Sequence, residues 1–179
     1  PAHGPFRQAA PVPKGSPILM SLLSTLSLIC IGLFVVLLFR AAFGDFRHYV
    51  IPNRLNLAIA ALYVPYALVA PSADPVWSLA VAAVVLGLGI VAFGFGWFGG
   101  GDVKLLAAVS LWAGPTHLSL LLLVTAIAGG VVALAVLCRP LLQRLSAGPA
   151  ATLTVSRDVP YGIAISVGGL AVASQLLAL

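Results

Sequence analysis

The sequence contains little charge. Its 179 residues include no glutamate and four aspartates, and charged side chains make up only 7% of the chain. Soluble domains carry roughly a quarter charged residues, so a surface built from this sequence could not be covered with polar groups. An ordinary water-soluble domain is therefore excluded. A mean hydropathy of +1.15 also excludes a disordered chain.

Cysteines and clustered basic residues are scarce as well. Cys30 and Cys138 lie in separate apolar runs, and the sequence contains no CxxC pair. This pattern indicates neither a zinc site nor a redox motif, and leaves thiols that face the core or lipid. The nine basic residues are scattered singly between apolar runs. A nucleic-acid partner is therefore not expected, because such proteins cluster their basic side chains on one surface.

Long apolar runs dominate the sequence. Crossing a bilayer takes roughly 20 apolar residues in a helix. We predict an all-α membrane protein, a polytopic bundle of about six transmembrane helices that forms a single domain over residues 18–179. The first run is too long for the apolar part of a signal peptide, so we predict a retained helix. The predicted spans are Ile18–Phe39, Leu55–Ala70, Val76–Phe98, Val103–Ala113, Leu118–Cys138 and Tyr161–Leu179.

Residues 1–17 differ from the rest of the chain. They are polar and contain five prolines, and the only methionine of the sequence follows at position 20. We expect a polar extension, which could be foreign to the natural protein.

The basic residues predict an orientation. With the connections numbered alternately, seven of the nine fall on one side, which the positive-inside rule makes cytoplasmic. Arg7 and Lys14 lie on the other side, as an exception within the polar extension. We therefore predict a multi-pass protein of the inner (cytoplasmic) membrane. The seven are Arg40, Arg47, Arg54, Lys104, Arg139, Arg144 and Arg157.

Two of the four aspartates have ordinary structural explanations. Asp74 lies in the short segment Pro71–Pro75, which is typical of a turn. Asp158 precedes Pro160 at the start of the last span, where an aspartate suits a helix N-cap. These assignments leave Asp45 and Asp102.

Asp102 follows a stretch of five glycines within residues 94–101. Gly94, Gly96 and Gly99 formally match the dinucleotide motif G-x-G-x-x-G, but no strand precedes them and this apolar chain has no βαβ unit. An ordinary helix N-cap would explain Asp102, and a solvated loop position beside Arg47 would explain Asp45. Both alternatives stay open when each residue is considered alone.

Considered together, the two aspartates suggest a catalytic pair. Both lie at the predicted cytoplasmic face, each directly after a glycine, in a chain with few acids. If the helices bring them together, repulsion between like charges favours one shared proton. One carboxylate can then take a proton from water while its protonated partner donates a hydrogen bond to a scissile carbonyl. This is the chemistry of an aspartic protease.

Three blocks resemble the type IV prepilin peptidases. Residues 45–55, DFRHYVIPNRL, are similar to the first block of that family; residues 99–106, GGGDVKLL, to its GxGD block; and residues 159–162, VPYG, to the start of its last helix. The resemblance implies an integral membrane aspartic endopeptidase that removes the leader of prepilins at the cytoplasmic face, with no metal or cofactor. It makes Asp45 and Asp102 the catalytic pair, supported by the motif residues Gly99, Gly101, Lys104, Pro52, Asn53, Pro160, Tyr161 and Gly162.

The sequence departs from the larger members of that family. It lacks their CxxC loop, which is linked to methylation of the new amine, so it resembles the short form found in Tad/Flp pilus systems or among archaeal preflagellin peptidases. We expect cleavage without N-methylation. Lys104 could pair with a substrate acid, orient Asp102, or serve only as a positive-inside anchor. The expected partners are a prepilin, the bilayer and other pilus-assembly proteins. A small proton-coupled transporter and a non-enzymatic pilus-assembly subunit remain alternatives.

Overall fold

The computed structural model of the chain describes residues 16–70, 73–147 and 160–178, and within these ranges it contains helices and no strands. The predicted N-cap Asp158 and nearly all of the predicted extension over 1–17 lie outside the described residues. The helices are α1 (Pro17–His48), α2 (Asn53–Val69), α3 (Pro75–Gly94), α4 (Gly100–Ala147) and α5 (Tyr161–Leu177).

Helix α4 is two helical segments that meet at Gly114. The backbone there has φ 55° and ψ −167°, a conformation that essentially only glycine adopts. Asp102 and Ala133 lie on opposite sides of this break and line the same cavity. A straight helix would hold them about 45 Å apart, at 1.5 Å per residue. The chain therefore folds back at Gly114, as the pair Gly114–Pro115 predicts.

The helix bounds agree with the predicted spans in part. Among the described residues, three stretches are long and apolar enough to cross a membrane: Ile18–His48, Pro75–Gly94 and Gly100–Cys138, the last of which includes the break at Gly114. Helices α2 and α5 each have 17 residues. The all-helical fold is confirmed, and the count of about six crossings stays a prediction. Helix α3 ends at Gly94 rather than at the predicted Phe98, because the glycine-rich residues that follow form turns.

Helix α5 packs against α1 and α4. Its buried face consists largely of small residues, which let neighbouring helices approach closely. At Gly169, a side-chain Cβ would lie 2.8 Å from the Leu38 Cδ1 of α1 and 3.1 Å from the Val109 Cγ1 of α4. This close packing holds α1 and the first segment of α4 against the middle of α5.

An aromatic cluster ties the other end of the bundle together. Trp112 stacks on Phe34 with ring centroids 4.2 Å apart and on Tyr66 at 4.9 Å. Its indole N–H donates to the Ile59 carbonyl at 2.9 Å. Helices α1, α2 and α4 are therefore fixed at one end of the bundle, and Asp45 and Asp102 lie toward the opposite end.

Candidate active site

Asp45 lies in the last turn of α1. The predicted first span ends at Phe39, but the helix continues to His48 and carries the carboxylate into the bundle. The alternative of a solvated loop acid is wrong, because Asp45 is only 4% exposed. Tyr49, at φ 53°, then ends the helix in a left-handed conformation.

The Asp45 carboxylate caps the start of α5. Its Oδ2 accepts a hydrogen bond from the Ile163 N–H at 3.3 Å, and the carboxylate also accepts from the Gly162 N–H. The N-cap residue of α5 is Pro160, whose side chain forms no capping hydrogen bond. Asp45 thus supplies, from a different helix, the acceptor that the free N–H groups of a helix N-terminus require.

The local sequence leaves room for this contact only because residue 162 is a glycine. A Cβ there would lie 2.8 Å from the Asp45 Oδ2 and 2.7 Å from the Ile51 Cδ1. Gly162 therefore allows the backbone of α5 to meet the carboxylate directly.

Asp102 lies in the first turn of α4, and its carboxylate accepts a hydrogen bond from the Gly99 N–H. This back-bonding resembles the acidic half of a capping box. The N-cap interpretation of Asp102 is therefore wrong in position: α4 begins at Gly100, so Asp102 is its third residue, and its carboxylate bonds back to the residue that precedes the helix. Residue 99 must again be small, because a Cβ there would lie 2.8 Å from the Asp102 Oδ2.

The two carboxyl groups lie close enough to interact electrostatically, and burial desolvates both. The connection between α1 and α2 lies between the glycine segment that precedes Asp102 and the glycine of α5 that Asp45 contacts. Its Ile51 is 7% exposed and would contact a Cβ placed at either Gly101 or Gly162. The first sequence block thus packs between the second and the third, and the three blocks form one site.

The remaining motif residues support this arrangement. Lys104 does not pair with Asp102: its ammonium donates to the Asn53 Oδ1 at 2.9 Å, which ties α4 to the first turn of α2. Pro52 is the N-cap residue of α2. Pro160 is buried, and the ring of Tyr161 lies 5.4 Å from that of Phe98.

An apolar groove leads to Asp102. This substrate groove, as we call it below, has a volume of about 460 Å³ and lies between α3, both segments of α4 and α5. Asp102 is its one charged lining residue among those described. The α4 side follows a single helical face of largely small residues at i, i+4, i+7 and i+11 spacing, namely Leu122, Ala126, Gly129 and Ala133.

Sequence reasoning missed Asn56. Its amide donates to the Gly101 carbonyl at 3.2 Å and so fixes the glycine segment before Asp102. Asn56 is 5% exposed, in a helix that is otherwise mainly apolar. The signal available in the sequence was a polar amide among apolar helix residues, because such an amide, once buried, needs a hydrogen-bond partner.

Comparison with known proteins identifies the family of the chain. The profile of the type IV leader peptidase family matches residues 19–134. This chain belongs to the type IV leader peptidase family. The matched range includes both Asp45 and Asp102, whereas Tyr161 and Gly162 lie beyond it. No curated protein and no solved structure shows significant similarity to the chain. Membership makes the protein a peptidase of leader sequences, and its apolar helices fit a membrane protease.

Proposed function

We propose that this leader peptidase is an aspartic endopeptidase with Asp45 and Asp102 as its catalytic pair. It cleaves the leader from type IV, Flp-like prepilins at the cytoplasmic face of the inner membrane and does not methylate the product. The observation that carries the proposal is the electrostatic proximity of buried Asp45 and half-buried Asp102, whose carboxyl groups both accept hydrogen bonds from backbone N–H groups at glycine segments.

The chemistry follows from one proton shared between the two groups. The ionised carboxylate removes a proton from a water molecule, and the resulting hydroxide attacks the scissile carbonyl carbon. The protonated carboxyl donates a hydrogen bond to the carbonyl oxygen, which stabilises the negative charge that develops there. The proton taken from water then passes to the leaving amine as the C–N bond breaks. The backbone N–H donors restrict the rotation of both carboxyl groups.

The substrate groove supports a substrate with an apolar helix beside its cleavage site. From Ala133 to Leu122 the α4 face is about 16 Å long, at 1.5 Å per residue, which is three turns of helix. Glycine and alanine along it allow a second helix to approach its backbone closely. A prepilin with its hydrophobic segment in this groove would present the preceding peptide bonds at the level of Asp102.

The absence of a CxxC motif from the sequence supports cleavage without methyl transfer. The cytoplasmic assignment is supported by the side on which the basic connections fall.

The test is cleavage of a purified Flp-type prepilin by Asp45→Asn and Asp102→Asn variants. We expect each to lose at least about 100-fold in kcat, because each removes one half of the acid–base pair. Asp74→Asn is the matched control. Asp74 caps α3 through the Trp77 N–H, outside the site, so this variant should cleave at the wild-type rate. Leader removal at the wild-type rate by either site variant would contradict the dyad, and a product carrying an N-methyl group would contradict the second part of the proposal.

A further inference from the structure

A second groove, separate from the site, lies between α2, α3 and the first segment of α4. It has a volume of about 580 Å³, and we call it the lateral groove. Its walls are leucine and alanine side chains, including Leu57, Leu79 and Ala83. Leu57 is 70% exposed and Leu79 64% exposed. In a membrane-embedded bundle such surfaces face lipid.

The polar residues that line the lateral groove are Lys104, Asn53 and Asn56. Lys104 and Asn53 belong to the first turns of α4 and α2, so they mark one end of the groove. The Lys104 ammonium uses one donor on the Asn53 Oδ1, and no carboxylate of the described residues forms an ion pair with it. A cation with free donors therefore stands at the end of an apolar channel.

Asn56 also lines this end of the groove. Its amide N–H₂ donates to the Gly101 carbonyl, and its Oδ1 is buried and closed off from the groove. The groove therefore combines one exposed cation at its end, Lys104, with apolar walls.

We propose that the lateral groove binds a membrane phospholipid with an anionic headgroup, of which phosphatidylglycerol is the simplest case. The phosphate pairs with Lys104, and one acyl chain lies along the alanine and leucine walls. Basic pockets between transmembrane helices bind anionic headgroups in this way. In this position the lipid would contact Asn53 and Asn56, the two side chains whose hydrogen bonds connect α2 to the start of α4.

The test is retention of lipid by the purified, delipidated protein in detergent, measured by native mass spectrometry with equal amounts of phosphatidylglycerol and phosphatidylcholine. We expect phosphatidylglycerol to be retained preferentially. Lys104→Gln should lower its retention about fivefold, since a basic residue near the membrane surface contributes about 1 kcal/mol to binding anionic lipid. Arg54→Gln, which removes an exposed cation that does not line the groove, is the matched control and should retain the lipid.

A second pair of variants tests the apolar walls. Ala83→Trp places a large ring in the groove and should reduce retention, whereas Ala80→Trp places the same ring on an exposed part of α3 outside it. Excess inorganic phosphate should not displace the lipid.

Equal retention of both lipids, or equal losses in Lys104→Gln and Arg54→Gln, would overturn the inference. The inference would also be overturned if inorganic phosphate displaced the lipid and Ala83→Trp retained it normally, because that result would indicate a site for phosphate alone. If Ala83→Trp fails to fold, the comparison of Lys104→Gln with Arg54→Gln decides. Lipid retention is measured without any cleavage, so this result and that of the dyad variants can fail independently.

Discussion

Replacing Gly162 with alanine tests whether contact between α5 and Asp45 sets the geometry of the site. The added Cβ would lie 2.8 Å from the Asp45 Oδ2 and 2.9 Å from its Cγ. Ordinary contacts between heavy atoms are about 3.5 Å or longer, so the carboxylate must retreat by roughly 0.7 Å. The hydrogen bond from the Ile163 N–H is already 3.3 Å long, and such a retreat would break it.

We expect kcat for prepilin cleavage to fall by about 10- to 100-fold, since a displacement of about 1 Å in a catalytic group can cost 100-fold. Stability should change less. Overpacking costs about 1–3 kcal/mol, and alanine regains about 1 kcal/mol of helix propensity over glycine. The assays are the steady-state rate and the thermal unfolding midpoint in the same detergent.

Gly169→Ala is the matched control. It lies on the same buried face of α5, and its Cβ would meet the Leu38 Cδ1 at 2.8 Å, with no carboxylate nearby. It should lower the unfolding midpoint by a similar amount and keep the wild-type kcat. Wild-type turnover by Gly162→Ala would refute the reasoning, as would equal losses of turnover in the two variants, which would indicate a general packing defect.

Two further substitutions test other contacts. Asn56→Leu removes the hydrogen bond to the Gly101 carbonyl together with the buried, unpaired Oδ1. We expect kcat to fall several-fold, with a change in the free energy of unfolding of about 1 kcal/mol or less. An unchanged kcat would show that the glycine segment before Asp102 holds its position without this hydrogen bond. Gly114→Ala places a side chain at a backbone conformation that essentially only glycine adopts, and its Cβ would lie 2.9 Å from the Ser78 Oγ. The free energy of unfolding should therefore fall by about 1–3 kcal/mol, measured as a lower unfolding midpoint. A midpoint equal to that of the wild type would contradict this account of the chain reversal.

The helical fold could be predicted because apolar runs of this length have few other solutions in a bilayer. The break at Gly114 was also predictable, since glycine followed by proline disfavours a continuous helix. The end of α1 was not. Residues 40–48 are more polar than the preceding run, and their helical state depends on packing of Asp45 against α5, which local sequence does not encode.

For the candidate site, the sequence indicated the residues but not how they are held. Glycines beside Asp102 suggested close backbone approach, and the structure shows that Gly99 makes room for the carboxylate of Asp102 itself. The Asp45 contacts with backbone N–H groups of α5 could not be inferred, because any carboxylate can bind any N–H and only the tertiary fold selects the pair. Asn56 escaped notice for the same reason.

The cap that Asp45 provides to α5 has a consequence for the order of assembly. The carboxylate and the Ile163 N–H are separated by 118 positions in the sequence. At synthesis rates of about 5–20 residues per second, Asp45 emerges roughly 6–24 s before its partner does. The first aspartate therefore reaches its final geometry only after α5 has entered the bundle. The proposed site cannot be complete before α5 is inserted, even though both proposed catalytic residues are translated much earlier.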